Sequence, residues 1–153
     1  TGNALSLSLV DRLHRRFPNI VGIKDSSGDF GQALAFLREL PESFRVIMGR
    51  DTLILSALKE GATGAIAAIA NVAPEIAVGI YDAFLRGEED QARDFQQRLV
   101  PLRDAFSLGT HPAMLKAGAE LVGFSGGPPR RPVSRLNEDQ IATLRHILAG
   151  IGK

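Results

Sequence analysis

Three short apolar runs, each separated from the next by one helical pattern, constrain this chain more than any other feature. Ile20 to Lys24, Phe44 to Met48 and Thr63 to Ala70 have the length and composition of strands. Between the first two, Asp29 is placed to cap a helix whose apolar face is Ala33, Phe36, Leu37 and Leu40, stopped by Pro41. Between the second and third, Asp51 or Thr52 can cap a helix from Leu53 to Lys59 that Gly61 ends. Strands joined through single helices pair in parallel, so their C-terminal ends share one face. Open parallel sheets and closed barrels both bind ligands at that face. Lys24 with Asp25 to Gly28, Gly49 to Thr52, and Ala70-Asn71 are the residues this topology brings there.

The flanks extend the pattern. A helix is expected from about Asn3 to Phe17, with Pro18-Asn19 as the turn into the first strand. After Pro74 comes a helix from Glu75 to Leu85, closed at Gly87. Beyond residue 88 only helices follow. Glu89 to Phe106 carries Ala92, Phe95, Leu99, Leu102 and Phe106 on one face, Pro112 opens a helix to Leu121, and Asn137 caps a last one ending near Leu148. The chain therefore reads as α/β over residues 1–87 and as a three-helix subdomain over residues 88–153.

Lys24 is the side chain with most chemical potential. A strand that turns it toward a packed interior disfavours the charged ammonium, and a neutral amine in a dry pocket attacks ketones. The competing reading is a strand-end lysine that lays its stem on apolar neighbours and its head in water. Ser26-Ser27-Gly28 ahead of a helix suits a turn and cap better than a phosphate cradle, because no glycine-rich P-loop is present. Gly49 either makes a turn or lets a substrate approach the backbone, and capping alone accounts for Asp51. His14, His111 and His146 have neither ligand spacing nor a shared face, so no metal site is expected. None of them falls where it could activate Ser26 or Ser27 as a nucleophile.

Apolar residues at 44% supply a core, and the formal charge of +1, evenly interspersed, gives no electrostatic reason to expect nucleic acid. Arg130, Arg131 and Arg135 form a small basic cluster better suited to helix ends or a neighbouring subunit than to a polyanion. The absence of cysteine excludes disulfides, thiolate metal sites and a cysteine nucleophile. No run approaches the roughly 18 apolar residues of a membrane span, so no membrane partner is expected, and the composition suits a cytoplasmic protein.

Beyond these arguments, Ile20-Val-Gly-Ile-Lys-Asp-Ser-Ser-Gly-Asp29 resembles the Schiff-base lysine strand of the dihydrodipicolinate synthase and N-acetylneuraminate lyase family. Val46-Ile-Met-Gly-Arg-Asp51 is similar to that family's next strand and loop, and Gly61 to Asn71 to its last barrel strand. Pro112 to Lys116, with Pro129 to Pro132, resembles its C-terminal helical region, so the likeness spans essentially the whole chain. It implies the C-terminal part, about strands 6 to 8, of a TIM (β/α)8 barrel, which needs about 250 residues against the 153 here. By the resemblance, Lys24 is catalytic and Ser26, Gly49, Asp51, Thr52 and Ile66 bind substrate, with no cofactor. The implied activity is a class I condensation of pyruvate with an aldehyde such as aspartate semialdehyde, or the reverse cleavage of a keto acid.

Sialate lyases carry an acidic residue and a serine at positions similar to Thr52 and Ala68, which turns the expectation away from sialic acid. A 2-keto-3-deoxy sugar acid aldolase of the same family is the alternative, and a non-catalytic half-barrel is the alternative from another class. The family's Tyr-Asn-x-Pro strand and a threonine pair precede a Thr-Gly pair like Thr1-Gly2. An N-terminal half of the same protein is therefore an expected partner, with a cut after an upstream arginine as one origin of this start. A homo-oligomer, a homotetramer in particular, is expected as well.

Overall fold

Three of the helices begin where a side chain accepts a free backbone N–H. In the computed structural model, which describes residues 3–153, helix α1 spans Leu7–Arg16 and starts later than the periodicity suggests, because the Ser6 hydroxyl accepts from the Leu9 N–H. The Thr1-Gly2 pair lies outside the described residues. Strand β1 is Gly22–Asp25, helix α2 is Phe30–Glu39 and strand β2 is Arg45–Met48. Asp29 caps α2 as expected, its carboxylate accepting from Gln32 N–H at 3.2 Å. A 3-10 turn, Asp51–Leu53, leads into helix α3, Ile54–Lys59, and strand β3 is only Gly64–Ala65.

Two expectations are corrected here. Neither Asp51 nor Thr52 occupies an N-cap position: both lie inside the 3-10 turn, and the residues at the N-caps of α3 and of that turn, Leu53 and Arg50, make no side-chain cap. The third strand is also far shorter than Thr63 to Ala70, since Ala68–Asn71 winds into a second 3-10 turn held by the Asn71 side-chain amide donating to Ala68 O at 2.9 Å. Alanine-rich runs carry little β preference of their own, so the local hydrogen bond prevails.

The strands pair in parallel in the order β1-β2-β3, with Lys24 opposite Ile47 and Ile47 opposite Gly64. One face of this sheet is covered by helices. Val46 packs with Val10, Phe36, Leu40 and Phe44, and Met48 packs with Ala33, Ala57 and Ala62. Strand alternation sends Lys24 and Ile47 to the other face, where Lys24 and the nearby Ile66 are exposed. Among the described residues no strand pairs with the outer edge of β1 or of β3.

By compactness the chain divides into one unit ending at Ala67 and another beginning at Ala68. The change of sequence pattern falls later, at 87/88, because helix α4, Pro74–Leu85, packs along helix α5, Glu89–Asp104, with its Gly79 beneath the Phe95 ring. Helices α6, Ala113–Leu121, and α7, Glu138–Gly150, complete the second unit. Its core is Ile69, Val72, Ile76, Ile80, Leu99, Leu102 and Leu144, all fully buried. A capping box opens α7: the Asn137 side chain accepts from Gln140 N–H at 2.9 Å, and Gln140 accepts from Asn137 N–H at 2.8 Å.

Candidate active site

The C-terminal ends of β1 and β2 are joined by one short bond. The Gly49 N–H donates to Asp25 O at 2.7 Å, holding the chain after Met48 against the turn that follows Lys24. That turn is built by side chains. Asp25 is 5% exposed, and its Oδ1 accepts from Ser27 N–H at 2.9 Å and from Gln32 Nε2 at 3.4 Å. The Ser27 hydroxyl accepts from Asp29 N–H at 3.1 Å, and Gly28 takes φ +80°, which favours glycine. Asp25 Oδ2 is buried without a hydrogen-bond partner among the described residues.

Lys24 and Asp25 project to opposite faces of the sheet, as neighbours on a strand must. The aspartate turns toward α2 and pins the loop, while the lysine stands on the open face. Lys24 is exposed, so the dry surroundings that the desolvation argument needs are absent among the described residues. A strand buries both faces only when both are covered, and here helices cover one.

A cleft of about 570 Å³ runs beside this strand end, lined by Ile23, Lys24, Asp25, Ser26, Ser27 and Gln32 among others. Lys24 and Ser26 therefore share a cavity. Gly49 touches both of them: a methyl group built on its Cα would overlap the Ser26 hydroxyl and stand 2.9 Å from Lys24 Cε. Asp51 is buried and Thr52 half-buried in the turn after β2, and neither lines the cleft. Ile66, 54% exposed, follows β3 with its N–H donated to Met48 O at 2.9 Å. Asp25 is the residue that sequence reasoning passed over as part of a turn. The signal was available, since alternation puts it on the same face as the core-packed Ile23.

The histidines lie elsewhere. In the first unit His14 Nδ1 bonds to Ile20 O at 2.8 Å and the ring meets Phe44 edge-on. Among the described residues no three His, Asp, Glu or Cys side chains group to hold a metal, and no helix is long and apolar enough to cross a membrane. In the second unit Lys116 donates to Gly126 O at 2.7 Å, and Arg130, Arg131 and Arg135 are exposed.

Comparison with known proteins gives a consistent result. A family model described as the dihydrodipicolinate synthetase family matches residues 1–151. A 4-hydroxy-tetrahydrodipicolinate synthase of Methanopyrus kandleri is 38% identical over 99% of this chain and 51% of its own length. An uncharacterized DapA-like lyase of Halobacterium salinarum is also 38% identical, over 99% of this chain and 49% of its own. Among solved structures, YagE, a prophage protein of this family from E. coli K12 in complex with pyruvate, superposes with a TM-score of 0.92 at 28% identity. It is matched over 99% of this chain and 52% of that one. The dihydrodipicolinate synthase DapA-2 of Bacillus anthracis gives 0.91 at 29% identity, over 99% of this chain and 51% of its own. The chain spans about half the length of the curated relatives it matches.

Proposed function

The chain belongs to the dihydrodipicolinate synthetase family, and from that premise we propose that it carries the imine-forming lysine of a pyruvate-dependent lyase, most like 4-hydroxy-tetrahydrodipicolinate synthase. The observation that carries this reading is the placing of Lys24 at the C-terminal end of a parallel strand, on the open sheet face, beside a cleft it shares with Ser26. Residues 1–87 are then the C-terminal part, about strands 6 to 8, of an eight-stranded barrel, and 88–153 its helical subdomain. The half-length match and the unpaired outer edges of β1 and β3 support an N-terminal half as the partner that closes the barrel. A homo-oligomer in the cytoplasm is the setting this reading carries with it.

In this reading the Lys24 amine attacks the ketone carbon of pyruvate, forming a C–N bond, and the former carbonyl oxygen leaves as water to give an iminium. The iminium draws electrons from the methyl carbon, which releases a proton and becomes an enamine. The enamine carbon adds to an aldehyde, and hydrolysis of the new iminium returns the amine to Lys24. Each proton transfer needs an acid or base within hydrogen-bond reach. Tyr81, the chain's one tyrosine, sits on α4 of the second unit, so the family's shuttle tyrosine is assigned to the companion half.

Thr52 and Ala68 in place of an acidic residue and a serine favour a short aldehyde over a sugar chain. A 2-keto-3-deoxy sugar acid is the alternative substrate class. The exposure of Lys24 favours a second reading for the chain by itself, as a complementing half that does not catalyse. The test is borohydride reduction with pyruvate in a preparation that turns pyruvate over, followed by peptide mapping. The expected adduct is on Lys24, and an adduct on Lys59 or Lys116 instead, or none, refutes the assignment.

A further inference from the structure

Gly49 is not needed for its backbone freedom. Among the described residues the glycines with positive φ are Gly28, Gly61, Gly87, Gly123, Gly127 and Gly152, and Gly49 is not one of them. What the position requires is space. A Cβ on Gly49 would overlap the Ser26 hydroxyl and come within 2.8 Å of Asp25 O and 2.9 Å of Lys24 Cε. The Asp25 carbonyl cannot move far, because it accepts the Gly49 N–H at 2.7 Å and its own side chain is fixed by Ser27 and Gln32. The lysine stem and the serine hydroxyl are the parts free to give way. An added methyl group therefore displaces the two side chains that share the cleft, and its 2.8 Å approach to Asp25 O also strains the short backbone bond between the two strand ends.

We propose that Gly49 is a positioning residue: by presenting no side chain it forms the seat on which the Lys24 stem and the Ser26 hydroxyl rest together, and so fixes where the amine meets its ketone. This deepens the reading of Lys24 as the imine-forming amine and rests on it. It also differs from a role in which the substrate touches Gly49 directly. A contact with substrate acts on binding, whereas a seat acts on the geometry of attack, and displacement of a reacting group by about 1 Å costs far more in rate than in affinity.

The test measures borohydride-trapped pyruvate adduct on Lys24, by peptide mapping, as a function of pyruvate concentration. Gly49→Ala is expected to lower the maximal trapping rate by about tenfold or more, with half-saturating pyruvate changed by less than about twofold. Ser26→Ala alone has a smaller effect. The double variant Gly49→Ala/Ser26→Ala recovers part of the loss, because the new methyl group then takes the space of the missing hydroxyl. A raised half-saturation at unchanged maximal rate, or a double variant no better than Gly49→Ala, overturns the proposal. If the parent protein forms no adduct in a preparation that turns pyruvate over, it is the imine-forming reading of Lys24 that fails. The crystal structure of Gly49→Ala then decides the seat: displaced Lys24 Cε and Ser26 Oγ support it, and the parent positions refute it.

Discussion

Each unit of this molecule contains a glycine against which another residue's side chain is pressed, and the two positions spend the missing side chain differently. In the helical unit, Gly79 of α4 lies under the Phe95 ring, whose nearest atom would be 2.7 Å from an added Cβ. In the sheet unit, Gly49 lies under a lysine stem and a serine hydroxyl. The first glycine joins two helices and the second clears room for polar side chains at a cleft. The same contrast holds for buried charge: Asp25 and Asp51 are the buried charged residues among those described, and both are in the sheet unit. The buried core of the helical unit is apolar among the described residues, while the sheet unit gives up part of its burial to hold a polar loop in one shape.

The comparison breaks first at Gly79. Gly79→Ala drives a methyl group into three ring atoms of Phe95, and overpacking of this kind costs about 1 to 3 kcal/mol, read as a lower urea midpoint at unchanged slope. Pyruvate trapping at Lys24 should be unaffected. A variant as stable as the parent would show that α4 and α5 are not held at the distance described. Asp25 tests the other unit. Asp25→Ala strips the acceptor from Ser27 N–H and Gln32 Nε2 but also removes a buried oxygen that has no partner, so the net loss of stability should be only about 1 to 2 kcal/mol. Faster hydrogen exchange at Ser27 should accompany it, and unchanged exchange would mean the loop is shaped by something other than this carboxylate.

Smaller still is the cap of α7. Asn137→Ala removes one half of the capping box and should cost about 1 kcal/mol, with Asn137→Asp recovering most of it in thermal unfolding. The smallest effect is electrostatic and confined to the surface of the helical unit. Glu88 accepts from Arg86 Nη2 at 2.7 Å, and this bond holds its carboxyl below the ordinary value of 4.5. A depressed carboxylate stabilises the fold above its unfolded value, and that contribution is lost as pH falls through the folded one. Glu88→Gln should therefore cost a little stability near neutral pH, where the contribution is fully present, and none in acid below the folded titration, so the two stability curves converge as pH falls. Because the pair is exposed, added salt should erase the difference between the two proteins.

Helix positions were legible in the sequence wherever a specific side chain sets a boundary: Asp29 and Asn137 as caps, Pro41 as a stop, Pro74 at the first helical position. The parallel order of the strands followed from their spacing by single helices. Strand length was less legible, since Thr63 to Ala70 offers few side chains to pack and Asn71 closes a 3-10 turn that periodicity does not reveal. At the site, the place of Lys24 could be read but not its exposure. Exposure depends on what covers the open sheet face, and no pattern within five residues of a strand records that. Asp25 was legible only in part: alternation puts it on the face of Ile23, but a carboxylate beside two serines and a glycine looks like a solvated turn until Gln32, in the first turn of the next helix, is seen to reach it.

The unequal lengths of the two outer strands have a consequence for how this chain behaves at high concentration. An unpaired strand is a template for another copy, and the template's strength grows with its length. β3 offers two residues, too few to recruit a neighbour, whereas β1 offers four, flanked by the exposed Val21. Two copies that meet edge to edge would join through β1 in opposite directions and leave only the stunted β3 edges facing outward. Such pairing has nowhere to propagate, so it would yield a reversible pair in solution and not a fibre.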